Sequence, residues 1–164
     1  MVWYRRNRVT DGTYFFTVTL RNRRSDALIQ HVDALRSAWR AARSRISHEI
    51  VAAGVLPDHL HAVITMCDGA GDYSRLWQDI KKGFTRRVAA GCASPWQARF
   101  WEHTIRDERD LHAHVDYVHI NPLRHRLVAR VVDWPHSSFH RYVRLGRLSA
   151  DWADPIATGS FGEP

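Results

Sequence analysis

The pattern of apolar and polar positions predicts four strands. Residues 13–20 (TYFFTVTL) are mostly β-branched or aromatic and follow the turn pair Asp11-Gly12, so they predict a buried strand. Two later segments predict a hairpin that turns at Pro57-Asp58, and a fourth strand follows. These three strands cover residues 46–56, 59–67 and 100–106.

Three further segments place apolar residues three and four positions apart, a spacing typical of helices. Asp107 is positioned to cap the third of them, and Pro122 must end or kink it. The order β-α-β-β-α-β-α predicts the α+β class, with a ferredoxin-like antiparallel sheet and helices packed on it. The predicted helices run from Ser25 or Asp26 to about Arg45, from Ser74 to about Ala90, and from Glu108 to Asn121.

Length and composition indicate a single folded domain. The 164 residues are 45% hydrophobic and include seven tryptophans, which is enough to bury a core without disulfides or a structural metal. Residues 1–145 are predicted to form this domain. Residues 146–164 are rich in Gly, Ser, Asp and Pro and lack periodicity, which predicts a weakly ordered C-terminal tail.

Charge favours a polyanionic partner. The net charge is +7, from 24 Lys and Arg against 17 Asp and Glu. Nearly all these cations are arginine, which pairs bidentately with phosphate and guanine, although a GC-rich genome would also enrich arginine. Basic clusters beside aromatic residues suit unpaired nucleic acid, although each cluster alone is better explained as a solvated surface. These candidate DNA-binding residues are Trp3, Tyr4, Arg5, Arg6, Lys81, Lys82, Arg86, Arg87, Arg124 and Arg126.

Cysteine usage and hydropathy indicate the compartment. Cys67 and Cys92 form neither a disulfide framework nor a CxxC pair, which favours a reducing environment. The first residues carry charge without the apolar segment of a signal peptide. No uncharged apolar run approaches the roughly 18–20 residues of a membrane span. We therefore expect a cytoplasmic protein with no membrane partner.

Histidine placement suggests a metal site. His59 and His61 lie two residues apart on a predicted strand, which puts both on one face, about 7 Å apart along the chain. Leu60 between them is expected to face the core. Two convergent imidazoles are suitable metal ligands, although two exposed histidines without a ligand are an equally good explanation of this motif alone.

A second histidine motif is rejected. His112, His114 and Asp116 match the HxHxD pattern of metallohydrolases. Apolar residues around them repeat at helical spacing, and on a helix two side chains two residues apart diverge by roughly 200°. His112 and His114 are therefore not expected to bind the same ion.

The same predicted helix presents a phenol and an amide together. Tyr117 and Asn121 are four residues apart and share one helical face, with His114 three residues before the tyrosine. They could serve as nucleophile and third metal ligand. The alternative is a tyrosine at the edge of the core and an asparagine that stops the helix before Pro122, and the residues alone favour it.

Four segments, in this order, resemble the REP-associated tyrosine transposases, which are single-tyrosine HUH endonucleases. They are PDHLHAVI (57–64), SRLWQDIKKGFTRR (74–87), WQARFWEHTIRDERDL (96–111) and YVHINPLRHRLV (117–128), and the opening WYRR and TYFFTVTL resemble the family's N-terminus. The resemblance covers residues 3–142. It implies an HUH-endonuclease fold.

The resemblance also implies a role for each residue of the site. It makes His59 and His61 the HUH metal ligands, Tyr117 the nucleophile, and Asn121 the residue that completes the metal site, where insertion-sequence relatives more often carry glutamine. The implied ion is magnesium or manganese. A free phenol has a pKa near 10, so a proton acceptor is needed, and His114 and Lys82 are both candidates.

The implied activity is that of a metal-dependent single-stranded DNA endonuclease and strand transferase. Its implied substrates are palindromic REP hairpins with a flanking tag, cleaved through a 5′-phosphotyrosine. Resemblance to the REP-associated branch implies a monomer, whereas proteins of the wider superfamily often form dimers. A DNA partner implies that the protein is located at the nucleoid. The alternative is a non-catalytic DNA- or RNA-hairpin-binding module derived from a transposase, but the presence of all four site residues favours activity.

Overall fold

Four strands form one antiparallel sheet in the computed structural model, which describes residues 9–69, 71–89 and 93–153. The spatial order is β2-β3-β1-β4, and both central strands, β3 and β1, are antiparallel to their neighbours. With helices between β1 and β2 and between β3 and β4, this is the ferredoxin-like βαββαβ arrangement. The predicted fold class is confirmed. The strands are β1 (Thr13–Thr19), β2 (His48–Val55), β3 (His59–Met66) and β4 (Trp101–Thr104).

Three helices cover one face of the sheet: α1 (Ala27–Gln30), α2 (Val32–Arg43) and α3 (Tyr73–Val88). Because side chains alternate along a strand, every second residue of β1 and β3 enters this main core. Among them are Phe16 and Leu60, which is buried as the sequence predicted. Trp77 of α3 packs edge-on against Phe16, with ring centroids 5.4 Å apart.

A fourth helix, α4 (Glu108–Arg124), covers the opposite face of the sheet. Its Val115 and Val118 pack against Phe15 of β1, Ala52 of β2 and Val63 of β3. The Asp107 side chain caps α4 by accepting a hydrogen bond from the backbone N of Asp110 at 2.8 Å, as the sequence predicted. The sheet is therefore enclosed between two helical layers.

The first predicted helix is interrupted. Instead of one helix from residue 26 to 45, α1 ends at Gln30 and α2 begins at Val32, with His31 between them outside the helical region (φ −116°, ψ 34°). The Leu28 backbone N donates to the Pro57 carbonyl at 3.2 Å, and the Leu28 side chain is buried. Tertiary contacts therefore hold α1 at the point where the helical region is interrupted.

Of the two effects predicted for Pro122, an end or a kink, the end of α4 at Asn121 is not observed. The helix continues to Arg124, and the His125 backbone N still donates to the Asn121 carbonyl at 3.0 Å. Proline removes only the bond to the carbonyl four residues earlier, that of Val118. This carbonyl faces Gly54 of β2, because a Cβ placed on Gly54 would lie 3.1 Å from its oxygen. Because Gly54 has no side chain, β2 can lie close to the Val118 carbonyl, which has lost its hydrogen-bond donor to Pro122.

The C-terminal part contains structure that the sequence analysis did not predict. A 3₁₀ helix (Val131–Asp133) and α5 (Phe139–Arg144) form a small apolar cluster with Ile120 of α4. Leu148 and Trp152 pack against this cluster. The division at residue 145 stays a prediction, and residues 154–164 lie outside the described part. None of the helices in the described ranges has the length and apolarity needed to span a bilayer.

Gly54→Ala tests the contact between β2 and α4. The added methyl group would meet the Val118 carbonyl at 3.1 Å, so strand or helix must move. We expect the free energy of unfolding to fall by about 1–3 kcal/mol, as for other overpacked sites, measured by urea denaturation. Gly71→Ala is the matched control, because no atom lies within 4 Å of its added Cβ. Equal stability of the two variants would contradict the proposed tight contact.

Candidate active site

Two imidazoles lie side by side on the sheet face that α4 covers. His59 and His61 follow one another on that face of β3, opposite Thr19 and Thr17 of β1, and their ring centroids are 4.9 Å apart. Each is only 4% exposed. The predicted shared face is therefore observed, and the two histidines are buried on it rather than exposed.

Both imidazoles are held through their Nδ1 atoms. His59 Nδ1 lies 2.7 Å from Asp58 Oδ1, and His61 Nδ1 lies 2.9 Å from Thr17 Oγ1. Asp58 also accepts a hydrogen bond from Arg23 Nε at 2.5 Å. Burial alone would raise the pKa of Asp58, but hydrogen bonds from His59 and Arg23 outweigh it and keep this pKa below its usual value. Such partners orient histidines for metal binding through Nε2.

The free nitrogen of His61 and the side-chain oxygen of Asn121 are buried without well-formed hydrogen bonds. Within the described ranges, His61 Nε2 and Asn121 Oδ1 are among the few buried side-chain atoms in this condition. Burial, with the nearby charges of His59 and His125, lowers the pKa of His61 to about 3, although the Asn121 amide lies close enough to oppose this shift. His61 is therefore neutral at physiological pH, as a metal ligand must be.

Tyr117 reaches the histidine pair from α4. Its ring centroid is 5.2 Å from that of His61 and 5.6 Å from that of Phe15, and both contacts are edge-on. The Arg124 guanidinium carbon lies 5.6 Å from the centre of the tyrosine ring. A cavity of about 230 Å³ opens here, lined by Phe15, Thr17, Thr19, Arg23, His59, His61, Trp101, Tyr117 and His125.

The two candidate proton acceptors differ in position. Lys82 lies on α3, which covers the opposite face of the sheet, so the sheet separates it from Tyr117 and this candidate is wrong. His114 is on the correct side, and its ring centroid is 4.9 Å from that of Phe15, which also contacts Tyr117. Its Nδ1 lies 2.8 Å from the Asp110 carbonyl oxygen. The role of His114 stays a prediction.

A second group of side chains could hold a metal ion. His103, Asp110 and His114 offer ligand atoms that all lie within 4.8 Å of one another. In the structure these atoms bind each other: His103 Nε2 lies 2.8 Å from Asp110 Oδ2, and His114 Nδ1 lies 3.1 Å from Asp110 Oδ1. Burial alone would raise the pKa of Asp110, but hydrogen bonds from His103 and Arg106 lower it to about 2.

The rejected HxHxD motif behaves as the sequence predicted. His112 is exposed and lies 3.9 Å from the Glu108 carboxylate, whereas His114 points to Asp110. The two histidines therefore do not form a common site. His114 belongs instead to the group with Asp110 and His103. Because His103 lies on a different element, β4, the motif could not indicate it.

The predicted DNA-binding residues are distributed over two regions. Lys81, Lys82 and Arg86 line a groove of about 830 Å³ along α3, called the α3 groove, which also contains Arg45, Arg75, Asp72 and Asp79. Arg87 Nη1 donates instead to the Gly83 carbonyl of its own helix at 2.8 Å. Arg124 lies at Tyr117, and the exposed Arg126 lies in the turn after α4 with a positive φ of 57°. Trp3, Tyr4, Arg5 and Arg6 lie outside the described residues.

Several residues that line the cavity or hold its histidines were not found from the sequence. Asp58 had a usable signal, because it directly precedes the histidine pair and carboxylates often support metal-binding histidines. Arg23 had none, because only tertiary packing brings it to the pair, whereas Thr17 and Trp101 lie within segments that resemble the family without being singled out there. His125 lies within a segment that carried the family resemblance, with its ring centroid 5.1 Å from that of His59.

Fold and site together define a class of protein. A ferredoxin-like sheet carries a histidine pair on a central strand, and the helix that covers this face carries a tyrosine, as in the single-tyrosine HUH type. The chain is 46% identical over 160 residues to the REP-associated tyrosine transposase of Escherichia coli (strain K12), covering 98% of this chain and 96% of that protein. It therefore belongs to the family of REP-associated tyrosine transposases.

Other comparisons agree with this assignment. A curated relative from Haemophilus influenzae is 37% identical over 161 residues, which cover 91% of this chain and 92% of the relative. A solved structure of a REP-associated tyrosine transposase bound to a REP hairpin matches with a TM-score of 0.89 and 46% identity, covering 100% of this chain and 98% of that chain. No protein-family model matches the chain.

Manganese binding tests which of the two histidine groups holds a cation. We expect His61→Ala to abolish binding in calorimetric titration, because it removes a ligand atom that is neutral and already oriented. His103→Ala is the matched control, since it removes an imidazole from the second group on the same sheet face. Thermal melting checks that both variants fold. Loss of binding in His103→Ala but not in His61→Ala would contradict the assignment.

Proposed function

We propose that this protein cleaves and rejoins single-stranded DNA beside palindromic hairpins, with Tyr117 as the nucleophile. The observation that carries the proposal is the juxtaposition of the Tyr117 ring with two imidazoles whose Nδ1 atoms are already occupied. All of these groups line or border one open cavity. Family membership supports the same activity.

The site fits a divalent cation. A buried polar atom without a hydrogen bond costs about 1–3 kcal/mol, and His61 Nε2 and Asn121 Oδ1 are both in this condition. A cation bound by them and by His59 would compensate this cost. The bound ion, magnesium or manganese as the family resemblance implies, would supply Lewis-acid stabilisation of the negative charge on a phosphate.

Tyr117 would perform a transesterification. Its hydroxyl oxygen forms a bond to the phosphorus while the bond from phosphorus to the 3′ oxygen breaks, so the products are a 5′-phosphotyrosine and a 3′-hydroxyl. The proton lost by the phenol balances the proton gained by the 3′ oxygen. The number of phosphoester bonds is unchanged, so another 3′-hydroxyl can reverse the step and rejoin the strands.

Cationic side chains around the cavity would assist this step. Arg124 lies over the Tyr117 ring, where it stabilises negative charge that develops on the phenol oxygen. Arg23 also lines the cavity while its Nε holds Asp58. A guanidinium that still has free N–H groups can donate to the non-bridging oxygens of a phosphate.

The α3 groove is the proposed binding surface for the hairpin stem. Lys82 and Arg86 are exposed along it, and Arg45 and Arg75 are held in place by Asp79 at 3.5 and 3.2 Å. A row of cations along one helix suits the phosphates of a duplex, which contribute affinity without reading sequence. A REP hairpin is the ligand of the related solved structure.

We propose that the monomer is the active unit. Tyr117 and the histidine pair belong to one chain, and α4 packs on its own sheet through Val115 and Val118. No exchange of helices between two copies is needed to assemble the site. This favours the monomer that the family resemblance implies.

Tyr117→Phe tests the nucleophile. We expect no covalent protein–DNA adduct with manganese and a labelled hairpin that carries a single-stranded flank, because the substitution removes only the hydroxyl and keeps the ring contacts with His61 and Phe15. Affinity for the hairpin should be unchanged. A denaturing gel followed by peptide mapping detects the adduct.

Tyr142→Phe is the control for that experiment. Its hydroxyl donates to the Val51 carbonyl at 2.9 Å and its ring packs against the cluster under α4, but it does not line the cavity. This variant should still form the adduct. An adduct in Tyr117→Phe, or one mapped to another tyrosine, would disprove the proposed nucleophile. Hairpin binding without an adduct in the unmodified protein would favour the binding-module alternative.

Lys82→Ala tests the α3 groove. We expect weaker hairpin binding, and a decrease of about 0.9 in the slope of log affinity against log salt if Lys82 neutralises one phosphate of the stem. Arg109→Ala is the matched control, because it removes an exposed cation from α4 on the other side of the sheet. Fluorescence anisotropy across a salt series measures both slopes. The groove assignment fails if the two variants lose affinity and slope equally.

A further inference from the structure

An exposed indole lies at the rim of the cavity. Trp101 is the first residue of β4 and is 41% exposed, which makes it one of the few large apolar side chains exposed in the described ranges. It lines the same cavity as His59, His61 and Tyr117. Trp101 belongs to none of the apolar clusters of the described residues, and the proposed chemistry does not use an open aromatic surface.

The orientation of this indole is fixed by its neighbours. Its ring meets Phe15 edge-on, at 5.6 Å between centroids and 68° between planes. The His103 ring, two residues along the same strand, lies parallel to it within 5°, at 6.1 Å. His103 is itself held by Asp110 at 2.8 Å. The indole is therefore preorganised, which reduces the entropy that a ligand must overcome to stack on it.

The position of β4 connects the two proposed DNA-binding regions. β4 is an edge strand that pairs only with β1 within the described sheet. Phe100, just before it, lines the α3 groove, whereas Trp101 lines the cavity on the other face. A strand that leaves a stem bound in the α3 groove can reach Tyr117 across this edge, where it meets Trp101.

We propose that Trp101 stacks on an unpaired nucleobase of the flanking strand and thereby positions the neighbouring phosphate at Tyr117. The inference rests on the proposed function and extends it to the recognition of the flank. A flat aromatic face beside arginines is typical of sites that bind single strands, since every unpaired base offers a face for stacking. Bases inside a duplex are already stacked and cannot offer one, so the contact selects a single-stranded flank.

The test compares binding of two REP-type DNA hairpins, one blunt and one with a mixed-sequence single-stranded flank, in EDTA so that cleavage does not interfere. For Trp101→Ala we expect about a tenfold loss of affinity for the flanked hairpin, the value of one stacked base, and no loss for the blunt one. Trp101→Phe should retain most of the affinity, because it keeps an aromatic face. Leu145→Ala is the control, since Leu145 is 59% exposed and lines neither region.

A second measurement does not depend on a substitution. Flanks that carry 5-iododeoxyuridine at successive positions are bound to the unmodified protein and irradiated, and the cross-linked peptide is identified by mass spectrometry. We expect cross-linking to Trp101 from one flank position. Thermal melting shows whether Trp101→Ala is folded, and the cross-link decides the question if it is not.

The outcomes separate this inference from the proposed function. Equal affinity of folded Trp101→Ala and the unmodified protein for the flanked hairpin would overturn the inference. Equal losses for flanked and blunt hairpins would also overturn it, because they would place the indole against the stem or in a structural role. Loss of flank recognition in Trp101→Ala, combined with no Tyr117 adduct in the unmodified protein, would support the inference while the proposed chemistry fails.

Discussion

The approach of α4 to the sheet is the contact on which the rest of the site depends. Gly54 of β2 lies directly opposite His61 of β3, and the space that its missing side chain leaves is used by the Val118 carbonyl. A larger residue there would move α4 away from the imidazoles. Tyr117 directly precedes Val118 on this helix, and Asn121 follows it by three residues. The contact of Val118 with Gly54 therefore also sets how close Tyr117 and Asn121 lie to the histidine pair.

Burial gives the histidine pair its chemical character. Under α4 the His61 imidazole loses water, which disfavours its charged form and lowers its pKa to about 3. Asp58 and Thr17 then determine which nitrogen of each ring remains available. Asp58 itself stays ionised because Arg23 and His59 stabilise it. Closure of the second helical layer therefore leaves both imidazoles oriented and keeps His61 neutral.

Periodicity was sufficient for the parts of the site that lie within one element. Alternation along β3 placed His59 and His61 on one face and Leu60 on the other, and helical spacing placed Tyr117 and Asn121 together. The predicted fold class followed from the order of the elements. These features depend on local geometry, which a sequence determines directly.

Tertiary contacts account for what the sequence analysis missed. The break at His31 reflects the attachment of Leu28 to the Pro57 carbonyl, a contact between distant segments. α4 continues through Pro122, and the Val118 carbonyl that lacks the Pro122 N–H lies against Gly54 of β2, a residue distant in sequence. Lys82 was one of two candidate proton acceptors for Tyr117, but the sheet lies between the two residues. These contacts between distant segments can be predicted only when it is known which helix covers which face of the sheet.

The sheet also separates the two surfaces that the proposed function uses, the α3 groove and the cavity at the histidine pair. Cations of α3 lie on one side of the sheet and the histidine pair on the other, so a nucleic acid that uses both must pass an edge. The edge at β2 is occupied, because the Val55 backbone N donates to the His136 carbonyl and the Ala53 backbone N donates to Ser138 Oγ. The β4 edge is short and carries Phe100 and Trp101 toward opposite faces. The same edge strand that closes the sheet therefore provides the direct route between the two surfaces, and its aromatic residues lie where a single strand would turn from one to the other.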